Sequence, residues 1–124
     1  MRSGKIFFSI IILIILGAFV NVAMRPKKAT VSAGHYDDFA QCLASANLTM
    51  YGAVSCSHCQ AEKALFGDSF KDVSYVECTE NPKLCLDKGI EGYPTWIDKN
   101  GRKYVGEQGL ERLSEISGCA LPAQ

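Results

Sequence analysis

The sequence has no basic stripe with which to bind a nucleic acid. Its 13 Lys and Arg residues are balanced by 13 Asp and Glu residues. Beyond residue 29, 13 acidic residues face 8 basic ones, which gives a net charge near −5. Nucleic-acid binding therefore has no electrostatic support. Internal repeats and low-complexity runs are also lacking, and the length leaves room for one small domain.

Charge is absent from Ile6 to Met24, a run of 19 residues. As a helix this run would span ~28 Å, close to the ~30 Å hydrocarbon core of a bilayer. Basic residues flank it on both sides, which is typical of a secretory signal or a signal anchor. The run is long for a cleaved signal and ends in a poor cleavage site. We therefore favour an uncleaved membrane anchor, held in lipid, over a cleaved signal or a buried soluble helix.

The flanking charges are too similar on the two sides to orient the anchor. Six cysteines in a domain of about 95 residues instead favour an oxidising compartment. We expect residues 1–24 to form a single transmembrane helix and residues 25–36 a linker. Residues 37–124 then form a domain on the extracytoplasmic, periplasmic side of the inner membrane.

The domain shows alternating helix and strand patterns. The first helix is expected after a cap at Asp37 or Asp38, with Phe39, Cys42, Leu43 and Ala46 on one face. The second follows Cys56, carries Ala61, Ala64 and Leu65 and ends near Gly67. A third is expected from Pro82 to Gly89, and a fourth over Leu110, Leu113 and Ile116 up to Gly118. Strands are expected over 48–54, 73–78, 95–98 and 102–105, the last two as a hairpin. This order predicts an α/β fold with a mixed sheet flanked by helices.

Cys56 and Cys59 are separated by two residues, directly after one predicted strand and at the start of a helix. The unpaired N–H groups at a helix start favour the thiolate, which is the attacking species in disulfide exchange. Cys56 is then the nucleophile, and Cys59, one turn in, resolves the mixed disulfide. The bland alternative is half of a zinc site, but the strand–helix context favours redox chemistry.

Together with the later Gly-Tyr-Pro-Thr, this motif resembles the thioredoxin superfamily. From Phe39 to Cys119 the chain looks like the thioredoxin-like domain fused to, or partnering, bacterial homologues of vitamin K epoxide reductase. The likeness covers about two thirds of the chain and is carried by FAQCL, MYGA, CxHCQ, EKALFG, YVEC, LC, GIEGYPTW, GEQ and LSEISG. It implies a thioredoxin-like mixed sheet flanked by helices. In that family the membrane enzyme passes electrons to quinone and oxidises the domain, which in turn oxidises secreted proteins.

By this resemblance Cys56 and Cys59 form the active-site pair and Pro94 takes the role of a cis-proline beside it. The backbone at Tyr93 and Pro94 is then expected to pair with an extended substrate. The cis form costs only ~0.5–1 kcal/mol at an X–Pro bond, so packing can select it. A trans proline opening an edge strand is the alternative.

The chain departs from the pattern of the families it resembles at three positions. Ser55 and Ser57 stand where the usual residues around the first cysteine are an aromatic residue and a proline, so the groove beside the pair is expected to be less apolar. Met50 stands six positions before Cys56, where thioredoxins carry a buried acid that assists reduction. This loss argues against a general reductase.

His58 is the fourth expected catalytic residue, with Cys56, Cys59 and Pro94. An imidazole near the helix start can stabilise the Cys56 thiolate, and this makes the disulfide a stronger oxidant. The alternative is a solvated histidine without influence. A metal module built on His58 and the two thiols is disfavoured, because His58 would point away from a site that they share. We expect no metal and no cofactor.

The remaining cysteines allow three pairings. We favour a disulfide between Cys78 and Cys85, which the end of a strand and the next helix can bring together, and another between Cys42 and Cys119. Buried free thiols are the alternative, above all at Cys42. A role for Cys78 and Cys85 in relaying electrons is a further option.

The sequence thus predicts a protein-disulfide oxidoreductase that oxidises or isomerises cysteines in exported proteins. A quinone-linked membrane enzyme of the vitamin K epoxide reductase type is its expected oxidant. The competing hypotheses are a reductase that receives electrons from a membrane enzyme, the metal module, and a non-catalytic interaction domain.

Overall fold

The computed structural model describes residues 34–123 of the chain. The predicted anchor, residues 1–24, and most of the predicted linker lie outside the described residues. Within residues 34–123, no helix is long and apolar enough to cross a bilayer.

Helices and strands alternate along the described chain in the predicted order. The elements are α1 (Asp37–Ser45), β1 (Thr49–Gly52), α2 (Ser57–Phe66), β2 (Ser74–Glu77), α3 (Pro82–Asp87), β3 (Thr95–Ile97), β4 (Lys103–Val105) and α4 (Gly109–Ser117). A 3₁₀ helix, Gly67–Asp72, follows α2 directly and was not predicted. Helix α4 ends where Gly118 adopts a left-handed conformation, with φ of 77°, which glycine accepts without a steric penalty.

The strands form one mixed sheet in the order β2-β1-β3-β4. Strand β1 pairs in parallel with β2 and antiparallel with β3, and β3 pairs antiparallel with β4. The parallel pair requires a crossover, and α2 with the 3₁₀ helix supplies it. This mixed α/β sheet with flanking helices confirms the predicted fold class.

The two faces of the sheet pack against different helices because side chains alternate along each strand. Met50 and Trp96 are register partners on one face, where they join residues of α1, α2 and α4 in the main core. Tyr51 and Ile97 lie in a smaller cluster with the Cys78–Cys85 pair of the α3 side. The active-site helix therefore rests on the larger core.

One local expectation was wrong. Helix α1 begins at Asp37 itself, Tyr36 is its N-cap, and no side chain caps it. On α2 the side chains of Ala61, Ala64 and Leu65 are exposed. The buried positions of α2 are Cys59, Glu62 and Phe66, because the helix turns its cysteine face and a carboxylate, not its alanines, to the sheet.

Candidate active site

Cys56 is the N-cap residue of α2, in an extended backbone conformation with φ −82° and ψ 116°. Its Sγ accepts a hydrogen bond from the backbone N–H of Cys59 at 3.2 Å. A sulfur at this position occupies the place of a capping oxygen and lies in the positive field of the helix start. The structure therefore places the Cys56 sulfur at the start of α2, against the backbone N–H of Cys59.

The Tyr93–Pro94 loop faces this sulfur from the other side. The Tyr93–Pro94 peptide bond is cis, and Pro94 is buried. The Cys56 thiol donates a hydrogen bond to the carbonyl oxygen of Tyr93 at 3.7 Å. A further bond, from the N–H of Gly106 to the Pro94 carbonyl at 2.7 Å, fastens the loop to the end of β4. The structure thus brings the cysteine pair and the two predicted loop residues together.

Cys59 is the buried member of the pair. Its side chain is fully buried, whereas Cys56 is half-buried, and both are free thiols. Burial, followed by the hydrogen bond with Cys56, raises the pKa of the Cys59 thiol to about 11. Charge on a thiol is disfavoured away from water, so Cys59 is protonated near neutral pH. The two sulfurs therefore lie in different environments, Cys56 partly accessible at the helix start and Cys59 buried one turn further on.

Gly52 leaves the space that Cys59 occupies. A Cβ atom on Gly52 would lie 2.9 Å from Cys59 Sγ and 3.2 Å from Cε2 of the Tyr75 ring. Neither distance leaves room for a methyl group beside a rigid neighbour. The buried sulfur of Cys59 is therefore the group that approaches Gly52 most closely.

A polar cluster missed by sequence reasoning lies beside Cys59. The Tyr75 hydroxyl donates to Glu77 at 2.6 Å, and the Lys63 Nζ lies 3.6 Å from the centre of the Tyr75 ring. Hydrogen bonds from Thr79 and Tyr75 hold the pKa of Glu77 down, at about 2, while burial raises the pKa of Tyr75 above its usual range. Glu77 is therefore ionised and Tyr75 neutral near pH 7.

His58 points to the loop before α4. Its Nδ1 lies 2.5 Å from Oε1 of Glu107, and the two side chains are 72% and 41% exposed. The histidine predicted to influence Cys56 therefore has a carboxylate partner that the sequence did not reveal. Within residues 34–123, no group of three or more His, Cys, Asp or Glu side chains is arranged to hold a metal ion.

Glu62 is a fully buried carboxylate one turn after Cys59. It accepts hydrogen bonds from the indole N–H of Trp96 and from the backbone N–H groups of Gln108 and Gly109, at 3.1 to 3.3 Å. A buried carboxylate is tolerated where hydrogen-bond donors satisfy it, and here the N-terminus of α4 supplies two of them. The one sign of this buried carboxylate in the sequence is that a charged residue lies on the same helical face as Cys59.

The other four cysteines form two disulfides. Cys42 is joined to Cys119 with a Cα–Cα distance of 5.9 Å, and Cys78 to Cys85 with one of 5.7 Å. These are the two pairings that the sequence favours. The first ties α1 to the chain after α4, and the second ties the end of β2 to α3.

No family model matches the chain. It is 42% identical over 106 residues to thiol-disulfide oxidoreductase LTO1 of Arabidopsis thaliana, over 78% of this chain and 28% of that protein. It is also 33% identical to protein disulfide isomerase-like 2-2 of Oryza sativa subsp. japonica, over 56% of this chain and 22% of that protein. The thioredoxin domain-containing protein 5 homolog of Drosophila melanogaster is 33% identical, over 64% of this chain and 22% of that protein.

The chain spans under a third of the length of each of these relatives. Two of these names describe disulfide chemistry, and each belongs to the whole of a longer protein. Together with the mixed sheet and the cysteine pair at the start of α2, these relatives support the chain's place in the thioredoxin superfamily.

Proposed function

We propose that this chain is a membrane-anchored thiol–disulfide oxidoreductase that oxidises cysteines in exported proteins. The observation that carries the proposal is the unequal environment of the two sulfurs. Cys56 is accessible at the helix start beside the Tyr93 carbonyl, whereas Cys59 is buried one turn in. Because exchange depends on which sulfur an attacking thiolate can reach, this arrangement directs attack to Cys56 and leaves Cys59 as the departing thiol.

The oxidation proceeds in two exchanges from the Cys56–Cys59 disulfide. A substrate thiolate attacks Cys56 Sγ, the bond to Cys59 breaks, and Cys59 leaves as a thiolate that takes up a proton. A second substrate thiolate then attacks the substrate sulfur of the mixed disulfide and expels Cys56. Two electrons pass from the substrate to the cysteine pair, and the substrate gains a disulfide.

An extended segment of an exported, cysteine-containing protein fits the surface around Cys56. The apolar side chains of Val54, Tyr93 and Val105 are exposed there, and a Cβ on Gly92 would be in van der Waals contact with Val105. Exposed apolar groups near a nucleophile supply binding energy without a strict sequence requirement. Ser55 and Ser57, exposed beside the cysteine, add polar contacts.

Re-oxidation requires a partner that accepts two electrons. We assign this role to a quinone-linked membrane enzyme of the vitamin K epoxide reductase type, on the resemblance of residues 39–119 to its associated domain. The apolar run of residues 6–24 supports an anchor in the lipid of the inner membrane that keeps the domain near this partner. The two disulfides that do not take part in the exchange support a periplasmic, oxidising location.

A reductase or isomerase is the second candidate, and one observation favours it. The carboxylate of Glu107 lies against His58 in the first turn of α2. Negative charge there opposes the thiolate of Cys56 and so favours a less oxidising pair. Such a protein would receive electrons from a membrane reductase and pass them to substrate disulfides.

The test is to express Cys59→Ser in the native host and to isolate the mixed disulfides formed on Cys56. Capture of exported proteins and of a quinone-linked membrane enzyme is the expected result. Capture of an electron-exporting membrane reductase instead would assign the reductase function. The Cys56→Ser, Cys59→Ser double variant is the matched control and should trap nothing.

Assays with the purified full chain test catalysis itself. The oxidised protein is expected to form disulfides in a dithiol peptide, with one dithiol consumed per cysteine pair in the absence of an oxidant. A protein that neither oxidises dithiols nor reduces insulin would be a non-catalytic interaction domain, and the proposal would be wrong.

A further inference from the structure

Glu107 has no part in the exchange steps above, yet its side chain contacts the active-site motif. It lies in the loop between β4 and α4, 49 residues from His58 in sequence, and its Oε1 is 2.5 Å from His58 Nδ1. An isolated ion pair between exposed side chains contributes little to stability. An effect of Glu107 on the active-site motif therefore requires that the fold hold this carboxylate in place.

The backbone next to Glu107 is fastened on both sides. The N–H groups of Gln108 and Gly109 donate to the buried carboxylate of Glu62, which belongs to α2. The Gln108 side-chain amide donates to the carbonyls of Val105 and Gly106 at 3.2 and 3.0 Å. The loop bearing Glu107 is thus fixed to the same helix that carries His58, so less conformational entropy is lost when they pair.

This arrangement changes the electrostatic environment of the first turn of α2. The hydrogen bond directs the Nδ1 atom of His58 to Glu107, and the carboxylate brings a negative charge to the positive end of α2. Both effects reduce the stabilisation of a thiolate at Cys56. Reduction of the disulfide takes up two electrons and two protons, and a less stable thiolate disfavours the reduced form.

We propose that Glu107 is a positioning residue that acts through His58 to lower the reduction potential of the Cys56–Cys59 pair. It makes the pair a milder oxidant than the helix start and His58 alone would give. This inference rests on the proposed redox function of the pair.

The test compares the full-length chain with Glu107→Gln in glutathione redox buffers, with the two states separated by thiol alkylation. Glu107→Gln is expected to shift the equilibrium about threefold toward the reduced pair. For a two-electron couple this is ~14 mV, since tenfold corresponds to 29.6 mV. An unchanged equilibrium in a protein that still titrates reversibly would overturn the inference and leave the proposed function intact.

Glu111→Gln is the matched control, because it removes the same charge from an exposed position in the first turn of α4. It is expected to leave the equilibrium within about 1.3-fold of that of the unmodified chain, because screening weakens charges that are not in contact. An effect of Glu111→Gln equal to that of Glu107→Gln would reduce the inference to a general charge effect and so contradict it.

The dependence on His58 is tested by adding His58→Ala to both forms. Without the imidazole, Glu107→Gln is expected to shift the equilibrium less than about 1.5-fold, and the difference between the two backgrounds gives the coupling between the residues. A full threefold shift in the absence of His58 would show that Glu107 acts directly and would contradict this route. If the unmodified chain shows no reversible couple, the proposed function itself fails.

Discussion

The indole N–H of Trp96 donates to the carboxylate of Glu62 at 3.1 Å, with both side chains fully buried. This bond joins the strand that follows cis-Pro94 to the helix that begins after Cys56. Because Glu62 also accepts the first N–H groups of α4, one carboxylate fixes three parts of the active site relative to one another.

Glu62→Ala is therefore expected to destabilise the domain strongly. It leaves the N–H groups of Trp96, Gln108 and Gly109 without their acceptor and creates a cavity. We expect the free energy of unfolding to fall by about 3 kcal/mol, measured by urea denaturation of the oxidised chain. Glu111→Ala, at an exposed position, should change it by no more than ~0.5 kcal/mol. Equal effects of the two variants would contradict the assigned role of Glu62.

Gly52→Ala tests the contact between β1 and the buried sulfur. The new methyl group would lie 2.9 Å from Cys59 Sγ, so the sulfur or the Tyr75 ring must move. Overpacking of this kind costs ~1–3 kcal/mol, and we expect a loss of stability in that range together with slower resolution of mixed disulfides. Gly92→Ala is the control, since its methyl group would meet Val105 at an ordinary 3.6 Å. An unchanged free energy of unfolding in Gly52→Ala would show that the space beside Cys59 accommodates a methyl group, and it would contradict the tight contact.

The buried thiol of Cys59 should lose its proton only at high pH. In Cys56→Ser the burial of Cys59 remains, and burial is the first cause of the raised pKa of about 11. At any pH below this pKa, the unreactive thiol form of Cys59 is in excess. Alkylation of Cys59 by iodoacetamide should therefore rise about tenfold per pH unit from about pH 8 toward pH 10.

The comparison is Cys56 in Cys59→Ser, which is half-buried at the helix start and should react faster at about pH 8. A rate for Cys59 that is already constant with pH above about pH 8.5 would mean that its thiolate forms early, against the burial argument.

The two disulfides should contribute unequally to stability. Cys42 and Cys119 are 77 residues apart, and Cys78 and Cys85 are 7 apart. On the chain-entropy model, replacing the first pair by serine lowers the free energy of unfolding by ~4 kcal/mol and replacing the second by ~2 kcal/mol. Thermal and urea unfolding of the two double-serine variants checks the order. The reverse order would show that strain or residual structure, not loop length, determines the contribution.

Local rules account for much of what the sequence predicted. The glycine, proline and apolar patterns around Pro82 and Gly118 marked where α3 begins and α4 ends, because caps and turns depend on neighbouring residues. The same reasoning placed the end of α2 near Gly67, its C-cap residue, but it did not single out Glu62 on that helix. An apolar pattern alone does not predict a buried carboxylate whose hydrogen-bond donors lie 34 or more residues away.

The sequence by itself determined the cysteine pair, its place at a helix start after a strand, and the order of elements around it. These depend on spacing and on backbone groups within one turn of Cys56. Only the tertiary structure decided which group faces each sulfur. Gly52 of β1 meets Cys59 of α2, and Glu107 reaches His58 from a loop 49 residues away. Electrostatic interactions and desolvation depend on distances in space and not on separation along the chain. The environment of each cysteine therefore follows from the packing of α2 against the sheet and α4.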